Sequence, residues 1–295
     1  MKLIKPSFEI IPQENGLKGI NKHVEIAGRT CYKSEDKITE DSAKEFVDRM
    51  IKSGHGAMLE HGTVYLKVLR EQMYRDGAFR DFSEIFTDNL YYKICSDKDN
   101  IYITTNYRYI IENHLEHWLK YLSKPTEHHE KRITVKFICD RGVSHEFVRH
   151  RVFSFAQEST RYCNYTKDKF DKQIKFILPF WIDEKQLGEH DADVIIIQAQ
   201  QITPISITSE EYAEICFMES LALAEFNYNA MIRAGWKPQQ ARNILPNSLK
   251  TELIMTGFVS DWKHFFELRC AKSAHPQAIE LAKPLEMEFM KLNLI

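Results

Sequence analysis

Long apolar runs are missing from this sequence. Nowhere do eighteen apolar residues follow one another, and the opening Met1-Lys2-Leu3-Ile4-Lys5-Pro6 has no signal-peptide core. The expectation is therefore a cytoplasmic protein without a membrane partner. Cys-x-x-Cys pairs are missing too. The six cysteines, at 31, 95, 139, 163, 216 and 270, are scattered, and they read as small, mostly buried residues rather than disulfides or zinc ligands. No His-Glu-x-x-His spacing connects His55, His61, His145 and His150, so no metal is expected. No Gly-x-Gly-x-x-Gly and no internal repeat occur, and no Pro/Gly/Ser-rich linker divides the chain. Net charge is nearly absent as well. A formal value of -2 excludes a globally basic polynucleotide coat while leaving a local basic pocket open.

What is present suffices for a sizeable core: 43% of the 295 residues are hydrophobic. Alternation predicts strands over 7–11, 64–68, 101–109, 133–139 and 251–259. Three-and-four spacing of Ala43, Phe46, Val47 and Met50 predicts a helix within 39–53, stopped by Gly54. A second amphipathic helix is expected over 110–122, with Leu115, Trp118 and Leu122 inward. The strongest helix begins at Thr208, where Thr-x-x-Glu211 is a capping box, and ends at Gly235. A short helix over 239–245 precedes Pro246. Ser260-Asp261 is read as the cap of a helix over 262–270, and Pro276 as the start of the last helix. The aromatics Tyr74, Phe79, Phe82, Phe86, Tyr91 and Tyr92 follow no helical or strand period. Strands lie among helices without a regular β-α-β beat. This predicts an α+β fold, a central mixed or antiparallel sheet packed with helices rather than a Rossmann fold, as one domain over 1–295.

The densest chemistry lies in Arg149-His150-Arg151-Val152-Phe153-Ser154-Phe155-Ala156-Gln157-Glu158-Ser159-Thr160-Arg161-Tyr162. Val143, Phe147 and Val148 predict a short helix ending near Arg151, followed by a hydroxyl-rich loop. Guanidinium forks stay charged and suit phosphate, with hydroxyls as added donors. One reading is a grip on two anionic groups, one at Arg149/Arg151 and one near Ser159/Arg161. The other is a solvated basic turn. Ser159 has no neighbouring His/Asp order for a triad, so it reads as a phosphate donor rather than a nucleophile.

That order of residue types resembles the signature of the flavin-dependent thymidylate synthases. Ala27-Gly28-Arg29-Thr30-Cys31-Tyr32, Gly54-His55 with Glu60-His61-x-Thr63, Ala241-Arg242-x-x-Leu245-Pro246 and Trp262-x-His264-Phe265-Phe266-x-Leu268-Arg269 are similar to further segments of the family. The resemblance runs from about residue 24 to 277, with 70–132 and 166–205 divergent or inserted. It implies an FAD held by Thr63, Arg149, His150, Arg151, Gln157 and His264. It also implies a deoxyuridine monophosphate (dUMP) met by Glu146, Arg149, Gln157, Ser159, Arg161, Arg242 and Arg269, with Arg269 and His61 as the catalytic pair. Methylenetetrahydrofolate as carbon donor, NADPH as reductant and a homotetramer with shared sites are implied in the same way, and the partners expected are small molecules, not polynucleotides. The chain departs from the family at Ala156-Gln157, where many members have Asn-Glu, at His264, where asparagine is usual, near Ser260 in place of an arginine, and in the longer link from Arg269 to His275. Without the resemblance, His61 reads as a hydrogen-bonded structural histidine and Arg242 as a partner of a surface carboxylate. Two other functions stay open: a different nucleotide-binding flavoprotein, and a non-catalytic nucleic-acid-binding domain using Arg141, Arg149, Arg151 and Arg161.

Overall fold

The computed structural model describes residues 1–76, 90–202 and 207–295. Phe79, Phe82 and Phe86 lie outside the described residues. The fold is α+β, built on three small sheets among helices. The largest holds β2 (Ser7–Ile11), β6 (Arg132–Asp140), β10 (Lys250–Phe258) and β7 (Ser154–Gln157) in the order β2-β6-β10-β7, antiparallel throughout. A second joins β3 (Thr63–Leu69), β5 (Asn100–Asn106) and β4 (Tyr92–Ser96), also antiparallel. The third is mixed: β1 (Lys2–Ile4) runs parallel to β8 (Lys175–Ile177) and antiparallel to β9 (Gly188–Glu189).

Side-chain alternation gives the largest sheet two unlike faces. Val135, Phe137 and Cys139 of β6 and Leu253 and Met255 of β10 pack against the Val259–Arg269 and Pro276–Lys291 helices, in a cluster with Phe147, Phe153, Trp262, Phe265 and Phe266. The residues between them, Thr134 and Lys136 on β6 and Glu252, Ile254 and Thr256 on β10, face the other way, where the Gly16–Tyr32 helix brings Ala27 onto Ile254. One face is aromatic and dry; the opposite face carries the polar side chains.

A strand lies at each expected place, although the one expected over 101–109 ends at Asn106 and the one over 251–259 at Phe258, each giving way to a helix; Ala43, Phe46, Val47 and Met50 are the buried stripe of the Ser42–Lys52 helix. The capping box at Thr208 and Glu211 opens the Ser209–Arg233 helix, and Gly235 follows it at φ +95°. The helix expected over 110–122 is replaced by two pieces. Tyr107–Glu112 is helical, His114 takes φ +57°, and Glu116–Tyr121 forms a 3-10 turn. Leu115 and Trp118 are buried as expected, because a spacing of three suits a 3-10 turn as well as an α-helix. The reading of Ser260-Asp261 as a cap is also corrected. The helix begins at Val259, and the Asp261 carboxylate accepts the Phe258 N–H at 3.0 Å from inside the first turn.

Candidate active site

The Arg141–Phe147 helix follows β6 without a linker. Its first turn is capped by Asp140, which accepts the Val143 N–H at 2.7 Å and a bond from Gln277 at 3.0 Å. After a turn, the stretch expected to be a hydroxyl-rich loop becomes strand β7, whose Ser154 to Gln157 pair with Thr256 to Leu253. Gly257 makes that approach possible: a Cβ there would stand 2.5 Å from the Phe153 ring. The Phe153 ring packs edge-on against Trp262, centroids 4.7 Å apart, which fixes the turn to the helix that ends in Arg269.

Arg269 closes back onto this turn. Its Nε donates to His150 Nε2 at 2.8 Å, and its terminal nitrogens donate to the carboxylate (2.6 Å) and backbone carbonyl of Glu146. His150 is buried against Phe265, and burial, Arg269 and His264 together pull its pKa down to about 4. It is therefore neutral at pH 7 and can accept the guanidinium hydrogen bond. His264 stays exposed, its ring 6.4 Å from that of His150. Arg149 and Arg151 project from the same turn into solvent, and neither forms a side-chain hydrogen bond or ion pair among the described residues. The structure thus brings Glu146, His150, His264 and Arg269 together, with two uncommitted guanidinium groups beside them.

A second group forms where β7 ends. The Glu158 N–H continues the ladder to the Glu252 carbonyl (2.8 Å), and the Ser159 N–H binds the Cys31 carbonyl (3.0 Å). Ser159 Oγ accepts the Arg161 N–H at 3.3 Å, and Arg242 donates to Thr160 Oγ1 at 3.3 Å. The Arg161 guanidinium lies over Tyr162, whose ring packs on Tyr32. Ser159, Arg161 and Arg242 therefore lie around one short turn. Gln157 donates to Ser144 Oγ (2.9 Å) on the Arg141–Phe147 helix and to Thr251 Oγ1 (3.2 Å).

Beneath that turn lies a charged network that belongs to none of the sequence motifs. Glu252 binds Lys33, Lys250 and Lys136, the last at 2.6 Å, and Lys250 also reaches Glu158 at 2.7 Å. Burial opposes the charge on Glu252, but the three ammonium groups outweigh it and hold its carboxyl far below the ordinary range. One signal existed in the sequence: Lys250 and Glu252, the two charged residues of this strand, sit two apart and so share a face.

His61 and Thr63 are placed elsewhere. His61 is 0% exposed, and its Nδ1 bonds Thr256 Oγ1 at 2.8 Å. Thr256 bonds Thr134 (2.8 Å), which bonds His23 Nε2 (2.7 Å), giving a buried chain on the polar face of the sheet. Burial, with His23 and Arg132 nearby, lowers the His61 pKa to about 3. The structural reading of this residue describes its place better than a position open to ligand. Thr63, also buried, is held by Gln13 through both backbone groups at 2.7 Å, and it lines a cavity that includes neither Arg149 nor Arg151. No group of three or more His, Cys, Asp or Glu suited to a metal occurs among the described residues.

Residues 88–292 match the model of a protein family described as thymidylate synthase complementing protein. The chain belongs to this family. Among curated proteins it is similar to a flavin-dependent thymidylate synthase of Corynebacterium aurimucosum, 24% identical over 265 residues, 88% of this chain and 71% of the relative. It is also similar to the proteins of that name from Mycobacterium tuberculosis (29% identical over 146 residues, 48% of this chain) and Geobacter sulfurreducens (27% over 142 residues, 48% of this chain). The chain spans about half the length of these last two relatives, 50% and 49%. A solved structure of the UMP/dUMP methylase PolB from Streptomyces cacaoi, bound with 5-Br dUMP, aligns over 99% of this chain and 93% of that one. Its TM-score is 0.45 at 16% identity, too distant a likeness to bear on ligand or fold.

Proposed function

We propose that this member of the thymidylate synthase complementing family is a flavin-dependent thymidylate synthase. In this reading it converts dUMP to dTMP with methylenetetrahydrofolate as carbon donor, NADPH as reductant and FAD as cofactor. The observation that carries the reading is the position of Arg269 beside a turn that presents Arg149 and Arg151 without acidic partners. Unpaired guanidinium groups around a neutral histidine suit the anionic phosphates and polar ring edge of a flavin. Arg149, His150 and Arg151 would hold that cofactor, with His264 at its rim; when bound, the flavin supplies the hydride chemistry.

Ser159, Arg161 and Arg242 take the nucleotide phosphate, a dianion matched by two guanidinium forks and a hydroxyl. Arg269 cannot act as a base, since it does not lose its proton at neutral pH. It stabilises negative charge that develops on the pyrimidine, and Glu146 and His150 hold its fork in place until substrate arrives. Glu146 is half of that clamp, so its carboxylate must yield when the pyrimidine engages Arg269. The residues at the fold's other polar centre, His61 and Thr63, act through structure in this reading. A homotetramer with sites shared between chains is supported by the apolar side chains Leu223, Phe226, Trp236 and Ile244, exposed on and after the Ser209–Arg233 helix.

The visible spectrum of the purified protein tests the cofactor half of this reading. Oxidised flavin bands that stay with the protein through gel filtration are expected. A colourless protein that fails to take up added FAD overturns it.

A further inference from the structure

A cavity of about 370 Å³ opens between the loop after β2, the first residues of β3 and β6, and the carboxyl-terminal Leu292 and Leu294. Arg132 forms part of its wall and is only 9% exposed. The guanidinium donates to the Glu60 carbonyl (3.0 Å), Thr63 Oγ1 (3.5 Å) and Ser154 Oγ (3.3 Å), and lies over the Phe258 ring. All of these partners are neutral. The Glu60 carboxylate is engaged by Arg108 at 2.7 Å, and among the described residues no carboxylate comes within ion-pair distance of Arg132. Buried charges are ordinarily paired, because leaving one alone costs several kcal/mol. Burial lowers the Arg132 pKa only to about 10, so the group remains a cation at neutral pH.

Other features of the wall agree. His23, 3% exposed, spends Nε2 on Thr134 and leaves Nδ1 buried without a partner. Lys131 is exposed at the rim, whereas Glu14, the acidic group of the lining, lies 3.4 Å from Lys22. Ile10, Ile20 and Leu122 supply an apolar floor. The volume lies within the range of small-molecule sites, which combine mostly apolar walls with a few convergent polar groups.

We propose that this cavity is a ligand site for a small organic anion, an apolar or aromatic body ending in a carboxylate or phosphate that pairs with Arg132. It does not rest on the thymidylate synthase reading: its wall shares Thr63 with the residues that the resemblance gives to FAD, but contains none of Arg149, Arg151, Ser159 or Arg269. Arg132 anchors the anionic end, His23 adds a ring nitrogen, and the aliphatic floor takes the body.

The test is isothermal titration calorimetry of the purified protein, with whatever flavin it carries, against sodium benzoate, phenyl phosphate and benzyl alcohol. One-to-one binding of benzoate or phenyl phosphate is expected, and the stronger of the two identifies the anionic group. Benzyl alcohol, the same body without charge, should bind at least about tenfold more weakly. Arg132→Gln should weaken the bound anion by about tenfold or more, with Arg132→Lys in between because a point charge lacks the fork. Leu292→Trp places bulk at the exposed mouth without touching the guanidinium, so it should weaken binding even if Arg132→Gln does not fold. The proposal is overturned if neither anion binds, if the alcohol binds equally well, or if Leu292→Trp binds as the parent does. A probe that displaces flavin, seen as loss of protein-bound visible absorbance, also overturns it, because the cavity would then belong to the cofactor.

Discussion

Arg269 Nε donates to the neutral Nε2 of His150 at 2.8 Å, while its terminal nitrogens hold the carboxylate and carbonyl of Glu146. This clamp joins the end of one helix to the turn after another and presents a cation where the family signature lies. Removing the Arg269 charge should cost roughly 3–4 kcal/mol in the methylation step, a fall of 10²–10³ in rate. Lysine should restore only part of it, as it lacks the planar fork. Reduction of bound flavin by NADPH does not need a pyrimidine anion and should change far less. Arg269→Ala and Arg269→Lys, measured separately in the two half-reactions, check this. An equal fall in both assigns Arg269 to structure instead.

Ser159 is expected to donate to phosphate. Ser159→Ala should weaken dUMP binding by about 1 kcal/mol, or up to ~3 if the bond is to a charged acceptor, while turnover survives at saturating nucleotide. Calorimetric titration with dUMP beside steady-state rates checks it. Lost turnover at unchanged affinity would point to a nucleophile.

The buried histidines make the fold sensitive to acid. His23 and His150 titrate near 4 and His61 near 3 in the folded chain, against about 6.5 unfolded. The unfolded chain therefore binds more protons between these values. Stability is full above about pH 6.5 and falls as pH drops toward 4 and below. Urea midpoints measured from pH 7 down to pH 4.5 should decline, and His61→Gln should flatten the decline even if it lowers stability at pH 7. Parallel curves for the two proteins would place the acid sensitivity elsewhere.

Glu252 holds three lysines in a buried setting. Glu252→Leu leaves those cations without their shared carboxylate and should destabilise the fold by about 3–5 kcal/mol. Glu158 still binds Lys250, so the turn at Ser159 should loosen rather than vanish. Guanidinium denaturation checks the first effect, and a weaker dUMP titration the second. An unchanged denaturation midpoint would contradict the network's structural role.

How much of this was legible in sequence depended on whether the governing contacts were local. Thr208 and Glu211 are three residues apart and satisfy each other, so the start of that helix could be read directly. The spacing of Leu115, Trp118 and Leu122 predicts one helix, but a positive φ at His114 breaks it; Leu115 and Trp118 are still buried, while Leu122 is half-buried and bridges to Leu66. Ser154 to Gln157 lacks a strand pattern of its own and is extended because β10 supplies a ladder. Arg242 meets Thr160, and Arg269 meets Glu146 and His150, from segments far apart in the chain, so no local pattern announces these contacts. His61 reads as a hydrogen-bonded structural histidine and is enclosed as one, whereas the lack of a close carboxylate at Arg132 among the described residues has no local signal, since its partners come from Glu60, Thr63 and Ser154.

The central claim is methylation of dUMP by a flavin-bearing protein, and one reaction tests it most directly. Purified protein supplied with FAD is incubated with dUMP, methylenetetrahydrofolate and NADPH, and the nucleotide is analysed by mass spectrometry. The account predicts dTMP, formed only when both the folate and the reductant are present. Unchanged dUMP from protein that has retained its flavin and consumed NADPH would contradict it, and would identify a flavoprotein of another reaction.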